Sequence, residues 1–226
     1  MILTMDTSGR CCGVALWDAG RIEFVETVDN LRHNEVLFER LRELLNRSAV
    51  LPSDLKAVAV SSGPGSFTGL RVGMAAAKGL CWSLNIPLIA ISTLEGLAAS
   101  VPRRVQRVLA LMPARAREVY WNLFEHDSAH WNPRGSFSVS EVAEVSQAVQ
   151  GSVFLCGEGY QRHRQELDAQ FADRRLELAA KEVLEPLVAS IARLAAERFA
   201  RGHFDDLIKT EPLYFYPFPR THSQPD

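Results

Sequence analysis

The spacing of apolar residues changes once near the start of the chain, and that change sets out the architecture. Ile2 to Met5 and Gly13 to Trp17 are short apolar runs, and Arg21 to Val28 alternates apolar with polar positions. Runs of this length and pattern predict strands. Thr7-Ser8-Gly9-Arg10 and Asp18-Ala19-Gly20 separate them with turn-forming residues, so the three are expected to form an antiparallel meander. From His33 to Arg47 the period becomes helical, with Val36, Leu37, Leu41, Leu44 and Leu45 on one broad face. A fourth strand is expected at Ala57 to Ser61, a second helix to about Leu84, a fifth strand at Pro87 to Ser92 and a short helix from Thr93. The order βββαβαβ predicts a mixed α/β fold.

The pattern is weaker beyond Val101. Val105 to Leu111 and Glu118 to Glu125 read as a strand pair around Pro113 to Arg117, and Ser152 to Cys156 as a strand ending at Gly157-Glu158-Gly159. A polar helix is expected from Tyr160. Pro186 to Arg201 predicts an amphipathic helix, opened by proline and closed by Gly202. The tail after Pro219 is polar and without an apolar period, so it is expected to be disordered. The expected division is 1–100 and 101–218, two versions of one architecture with the second reduced, followed by a tail at 219–226.

Between the fourth strand and the second helix runs Ser62-Gly63-Pro64-Gly65-Ser66-Phe67-Thr68-Gly69-Leu70-Arg71-Val72-Gly73. Glycines and proline set a tight turn, and Ser66 or Thr68 is placed to cap the helix. A glycine turn feeding a helix suits an anion, yet this one lacks the Gly-Lys-Ser/Thr ending of a nucleotide-binding loop. The same glycines equally permit two backbones to approach closely.

Composition narrows the function classes. A chain of 226 residues with a formal charge of −2 has no strongly basic surface for nucleic acid, although Arg103, Arg104, Arg107, Arg115 and Arg117 cluster in sequence. They are expected at a solvated strand and loop edge; direct tRNA contact is the alternative. The four cysteines, Cys11, Cys12, Cys81 and Cys156, have neither zinc nor redox spacing. The start lacks the features of a signal peptide, and charged residues interrupt every apolar stretch. A cytoplasmic protein with no membrane span is expected.

Asp6-Thr7-Ser8 in the first turn and the βββαβαβ order resemble the actin/hexokinase-like superfamily of duplicated ribonuclease-H-like domains, in which the first hairpin cradles phosphate. A closer resemblance is to the TsaB (YeaZ) family. It rests on Asp6-Thr7-Ser8, the helix opened by His33, the run Gly63 to Gly73, and Ile91-Ser92-Thr93-Leu94. Pro113 and Arg117 stand where that family has Asp and Gly, and Tyr216 where it has Arg. The resemblance implies a non-catalytic subunit for threonylcarbamoyl transfer to adenosine in tRNAs that read ANN codons. Its implied partners are the catalytic, metal-binding paralogue TsaD, the ATPase TsaE, a second copy in isolation, and tRNA indirectly. It implies no cofactor and no metal.

Three kinds of chemistry compete for these residues. A kinase or acyl-transfer enzyme of this superfamily would use Asp6, with Thr7 and Ser8 as a nucleotide loop. It needs a second phosphate loop, and Gly157-Glu158-Gly159 would turn a carboxylate toward the phosphates. Asp6 as a hairpin residue bonding its own backbone is the plainer expectation. His126 and His130 have the spacing of a helical metal pair but sit in loop composition without a third ligand. The binding reading uses two helices. Gly69, Gly73, Ala77 and Cys81 form a stripe of small side chains flanked by Arg71, Val72 and Ala76, while the first helix offers Val36, Leu37, Phe38 and Leu41. With His33, these residues are the expected partner interface. Catalytic residues are not expected.

Overall fold

The computed structural model describes residues 1–27, 33–127, 130–177 and 184–213. Strands β1 (Ile2–Asp6), β2 (Cys12–Asp18) and β3 (Arg21–Thr27) form the expected meander. Helix α1 (His33–Arg47) follows, then β4 (Ala57–Gly63), α2 (Phe67–Leu84), β5 (Leu88–Ser92) and α3 (Thr93–Ala99). The first sheet has the order β3-β2-β1-β4-β5, with β4 parallel to both β1 and β5. Parallel neighbours require crossovers, and α2 supplies the one between β4 and β5.

The two faces of this sheet differ in side-chain size. Leu3, Met5, Val58 and Val60 pack beneath Leu37, Leu41 and Leu44 of α1 and Met74, Ala77 and Cys81 of α2. Each such leucine contributes about 1.5–3 kcal/mol by leaving water. On the opposite face Ala57 and Ala59 are small, which lets a helix from the far end of the chain settle closely on the strands. That helix, α7, is introduced below.

In the second sheet β6 (Arg107–Pro113) pairs with β7 (Glu118–His126), and β7 pairs with β8 (Trp131–Pro133) and β9 (Ser138–Glu141). Helix α4 (Val142–Ala148) leads to β10 (Phe154–Cys156), which lies parallel to β6. Helices α5 (Glu158–Arg162), α6 (Arg164–Gln170) and α7 (Leu187–Ala200) complete the described elements. Val108, Ala110 and Met112 face α3, while Leu109 and Leu111 pack with Val142 and Val145 of α4, Leu167 of α6 and Phe171 just after it. The layers therefore run α1/α2, first sheet, α3/α7, second sheet, α4/α6.

The structure departs from the sequence reading in several places. β8, β9 and α4 were not expected, and α5 starts at Glu158 rather than Tyr160. Helix α7 belongs by sequence to the second half, yet Ile191 and Ala195 pack on Ile2, Ala57, Ala59 and Ile89 of the first sheet. Its Ser190 hydroxyl donates to the Gly96 carbonyl at 2.8 Å, fixing α7 against α3. After α7 the chain returns along β5: the Asp205 amide donates to Leu88 O at 2.9 Å, and Ala90 donates to Asp205 Oδ2 at 2.8 Å. This run covers a strand edge that would otherwise present unpaired backbone groups. Tyr216 and the tail at 219–226 lie outside the described residues.

Candidate functional site

The glycine run serves the chain's own packing. Ser66 caps α2, its hydroxyl accepting from the Gly69 amide at 3.2 Å, as expected. The Ser66 amide donates to Ser8 O at 2.7 Å, and the Thr7 hydroxyl donates to Gly69 O at 2.7 Å. A Cβ at Gly65 would lie 2.2 Å from Ser8 O, at Gly69 2.0 Å from Thr7 O, and at Gly73 2.3 Å from Thr7 Oγ1. The glycines exist so that α2 can press against the first hairpin.

The residues of the expected interface divide by burial. Gly69, Gly73, Ala77 and Cys81 are buried against the first sheet and hairpin, and Leu37 and Leu41 are buried in the core beneath α1. All six are taken up by the chain's own packing. Val36, Val72 and Ala76 are half-buried, and Arg71 and Phe38 are exposed. The His33 side chain lies outside the described residues.

The opposite stripe of α2 is left uncovered. Phe67, Arg71, Ala75, Gly79 and Trp82 recur at helical spacing and all face outward. Trp82 is 75% exposed, Phe38 on neighbouring α1 57%, and Phe67 46%. The Arg71 guanidinium sits 4.0 Å from the centre of the Phe67 ring, a cation–π contact. A Cβ at Gly79 would meet nothing within 4 Å. The sequence contained both small-residue stripes, and the Trp and Arg on this one are the signal that marked it as the outer face.

The first hairpin is closed rather than open. Asp6, Thr7 and Ser8 are all buried. Asp6 Oδ1 accepts from the Ser8 amide at 3.0 Å and from the Ser8 hydroxyl at 2.6 Å, the local turn bond that was the plainer expectation. The Thr7 amide donates to Ser61 Oγ at 3.4 Å, and the Arg10 amide to Glu158 Oε1 at 2.6 Å. The carboxylate expected to face this loop does so.

His126 ends β7 and His130 lies in the loop before β8, rather than on one face of a helix. His126 packs edge-on against Trp131, and His130 Nε2 lies 2.8 Å from Arg201. Both line a groove of about 660 Å³ between α3, α7 and the β7–β8 hairpin. Charges in its walls pair with each other, Arg193 with Glu185 at 2.9 Å and Arg198 with Glu95 at 2.7 Å. Among the described residues no group of three or more His, Cys, Asp or Glu is placed to hold a metal. Nor is any helix long and apolar enough to cross a membrane. Burial raises the thiols of Cys12 and Cys81 to about 11 and that of Cys156 to about 12, so none of the three is a thiolate nucleophile near neutrality. In the arginine cluster, Arg107 pairs with Glu125 at 3.2 Å and Arg117 with Glu166 at 2.6 Å.

Residues 27–217 match the family model described as TsaD, tRNA N6-adenosine threonylcarbamoyltransferase. The tRNA threonylcarbamoyladenosine biosynthesis protein TsaB of Escherichia coli (strain K12) is 32% identical over 219 residues, 94% of this chain and 93% of that protein. The chain belongs to the TsaB family. TsaB of Bacillus subtilis (strain 168) is 30% identical over 172 residues, 74% of this chain and 75% of its own length. The solved structure of YeaZ from Pseudomonas aeruginosa superposes with a TM-score of 0.78 at 28% identity, covering 94% of this chain and 98% of that one. The mixed α/β architecture is thus that of TsaB/YeaZ proteins.

Proposed function

We propose that this TsaB-family chain is the non-catalytic subunit for threonylcarbamoyl transfer to adenosine in ANN-decoding tRNAs, and that it binds a TsaD-like catalytic paralogue through the outer faces of α1 and α2. Family membership supports the non-catalytic role over the alternative, an ATP-dependent kinase or acyl-transfer enzyme using Asp6. The hairpin bonding agrees, since Asp6 is engaged with Ser8.

One observation carries the surface assignment. Phe67, Ala75, Gly79 and Trp82 leave an apolar, low-relief strip bare on α2, and Gly79 has no neighbour that would explain it. A glycine inside an exposed helix costs about 1 kcal/mol relative to alanine. An external backbone or side chain seated against it accounts for that cost. Phe38, Val36, Arg71, Val72 and Ala76 border the strip. In isolation the same face joins two copies, a TsaE-like ATPase binds the heterodimer, and tRNA is reached only through the complex.

We read the second sheet as a reduced copy of the first and divide the chain at 1–100 and 101–218. The order β10-β6-β7-β8 supports this, since its strand directions repeat those of β4-β1-β2-β3. The test of the surface is Gly79→Arg, co-expressed with the organism's own TsaD. Capture should be lost and the isolated protein should sediment as a monomer, with its circular dichroism unchanged. Undiminished capture by Gly79→Arg and by Phe38→Asp would sink the assignment.

A further inference from the structure

We infer that the groove between α3, α7 and the β7–β8 hairpin binds a small aromatic anion, a nucleoside monophosphate in class, with its phosphate at Arg103 and Arg201 and its ring beside Trp131. The groove lies apart from the first hairpin. The turn at 157–159, which meets that hairpin, packs on Leu111 and Met112, and these pair with the start of β7. The groove is lined instead by His126, at the other end of β7, and among the described residues none of its lining comes from α1 or α2. Its volume of about 660 Å³ falls within the roughly 300–1,000 Å³ of small-ligand sites.

Charge singles out two side chains. Four arginines and three glutamates line the groove. Arg193 is engaged with Glu185 at 2.9 Å and with the Ala99 carbonyl at 2.6 Å. Arg198 is engaged with Glu95 and with the Ala90 carbonyl, both at 2.7 Å. Glu197 faces His130 Nδ1 at 3.6 Å, and Arg201 meets the same ring at Nε2, 2.8 Å away. A guanidinium only donates, so Nε2 accepts and the imidazole proton sits on Nδ1, toward Glu197. Arg201 thus has a neutral partner and keeps its charge. Among the described residues neither it nor Arg103 has a carboxylate within ion-pair distance, and both are exposed. Free guanidinium forks of this kind suit phosphate oxygens. The second half of the ligand follows from the rings. His126 packs edge-on to Trp131 with centres 4.9 Å apart, steadying an indole that remains only half-buried in the groove wall. Such a ring is a platform for a planar base.

The experiment titrates AMP, adenosine and inorganic phosphate into the full-length protein, followed by calorimetry. The wild type should take up AMP saturably, with adenosine and phosphate each at least about tenfold weaker. Arg201→Gln and Arg103→Gln should each weaken AMP by about tenfold or more, with circular dichroism unchanged because both side chains are exposed. Trp131→Leu should lower the affinity for AMP while leaving that for phosphate as it was. A wild type that gives no saturable heat with AMP overturns the inference. So does AMP binding that survives both arginine substitutions, which would place the nucleotide elsewhere, and so does phosphate bound as tightly as AMP, which would remove the ring from recognition. Should Arg201→Gln fail to fold, Arg103→Gln decides the matter alone. Capture of TsaD by these variants stays at the wild-type level, because the groove lies off the α1–α2 face. This result is independent of the surface test above.

Discussion

In the first sheet unit, β4 runs through a glycine turn into α2, a helix of 18 residues; in the second, β10 runs through Gly157 into α5, a helix of five. Both turns press onto the start of a hairpin. Gly65, Gly69 and Gly73 admit Thr7 and Ser8, while Gly157 and Gly159 admit Leu111 and Met112. The local solution is shared, and the helices that leave it are not. Alpha-2 buries one face and keeps a second apolar stripe for the outside, whereas α5 ends before it has two faces to offer. A long helix launched from a tightly seated turn can hold the core and present a surface at once.

Breaking the seat in the first unit should have the largest effect. Gly69→Ala places a methyl 2.0 Å from a backbone oxygen that has no flexible end to move. We expect a loss of at least about 3 kcal/mol in urea unfolding, or no folded protein. Gly157→Ala meets Leu111 O at 2.2 Å and also forces an L-residue to a φ of +99°. Its expected cost is about 2–4 kcal/mol, with amide exchange rising first across α5 and α6. Equal loss of protection on both sheets would show that the two seats do not act locally.

Gly79→Ala tests the contrast from the other direction. With nothing within 4 Å of the added methyl, the free protein should gain about 0.5–1 kcal/mol. A destabilised variant would mean that the outer stripe of α2 is already covered.

The smallest effect belongs to the edge of the second sheet. There Arg134, through a side-chain hydrogen bond, and Arg107 hold the Glu125 carboxyl below the usual carboxylate range. A depressed carboxyl stabilises the fold above its unfolded pKa and loses that contribution as pH falls through the folded value. Glu125→Gln should therefore lower the urea midpoint slightly at pH 7 and converge with wild type as the pH falls below the folded, depressed value. A gap that persists in acid would assign the loss to packing.

The five strands and two long helices of the first unit were legible because their apolar periods are long and their turns carry glycine, proline and aspartate. Ser66 as cap and Glu158 facing the hairpin were legible for the same local reasons. The orientation of α2 was only half legible. Periodicity grouped Gly69, Gly73 and Ala77 correctly but could not say which side of α2 meets the sheet, and small residues suit either. Trp82 with Arg71 on the other stripe carried that information. Beta-8 and β9 span three and four residues, too short for a period to register. The seat of α7 was hidden for another reason: a helix pattern reveals an apolar face but not its distant partner.

That last pairing governs how the chain is made. Ile2, Ala57, Ala59 and Ile89 receive their cover from residues 187–200, so during synthesis one side of the earliest sheet waits for almost the entire polypeptide. Ribosome-bound or truncated products ending before Leu187 would leave that oily floor naked. Docking of α7, rather than completion of the N-terminal sheet, is then the step that takes this face out of water.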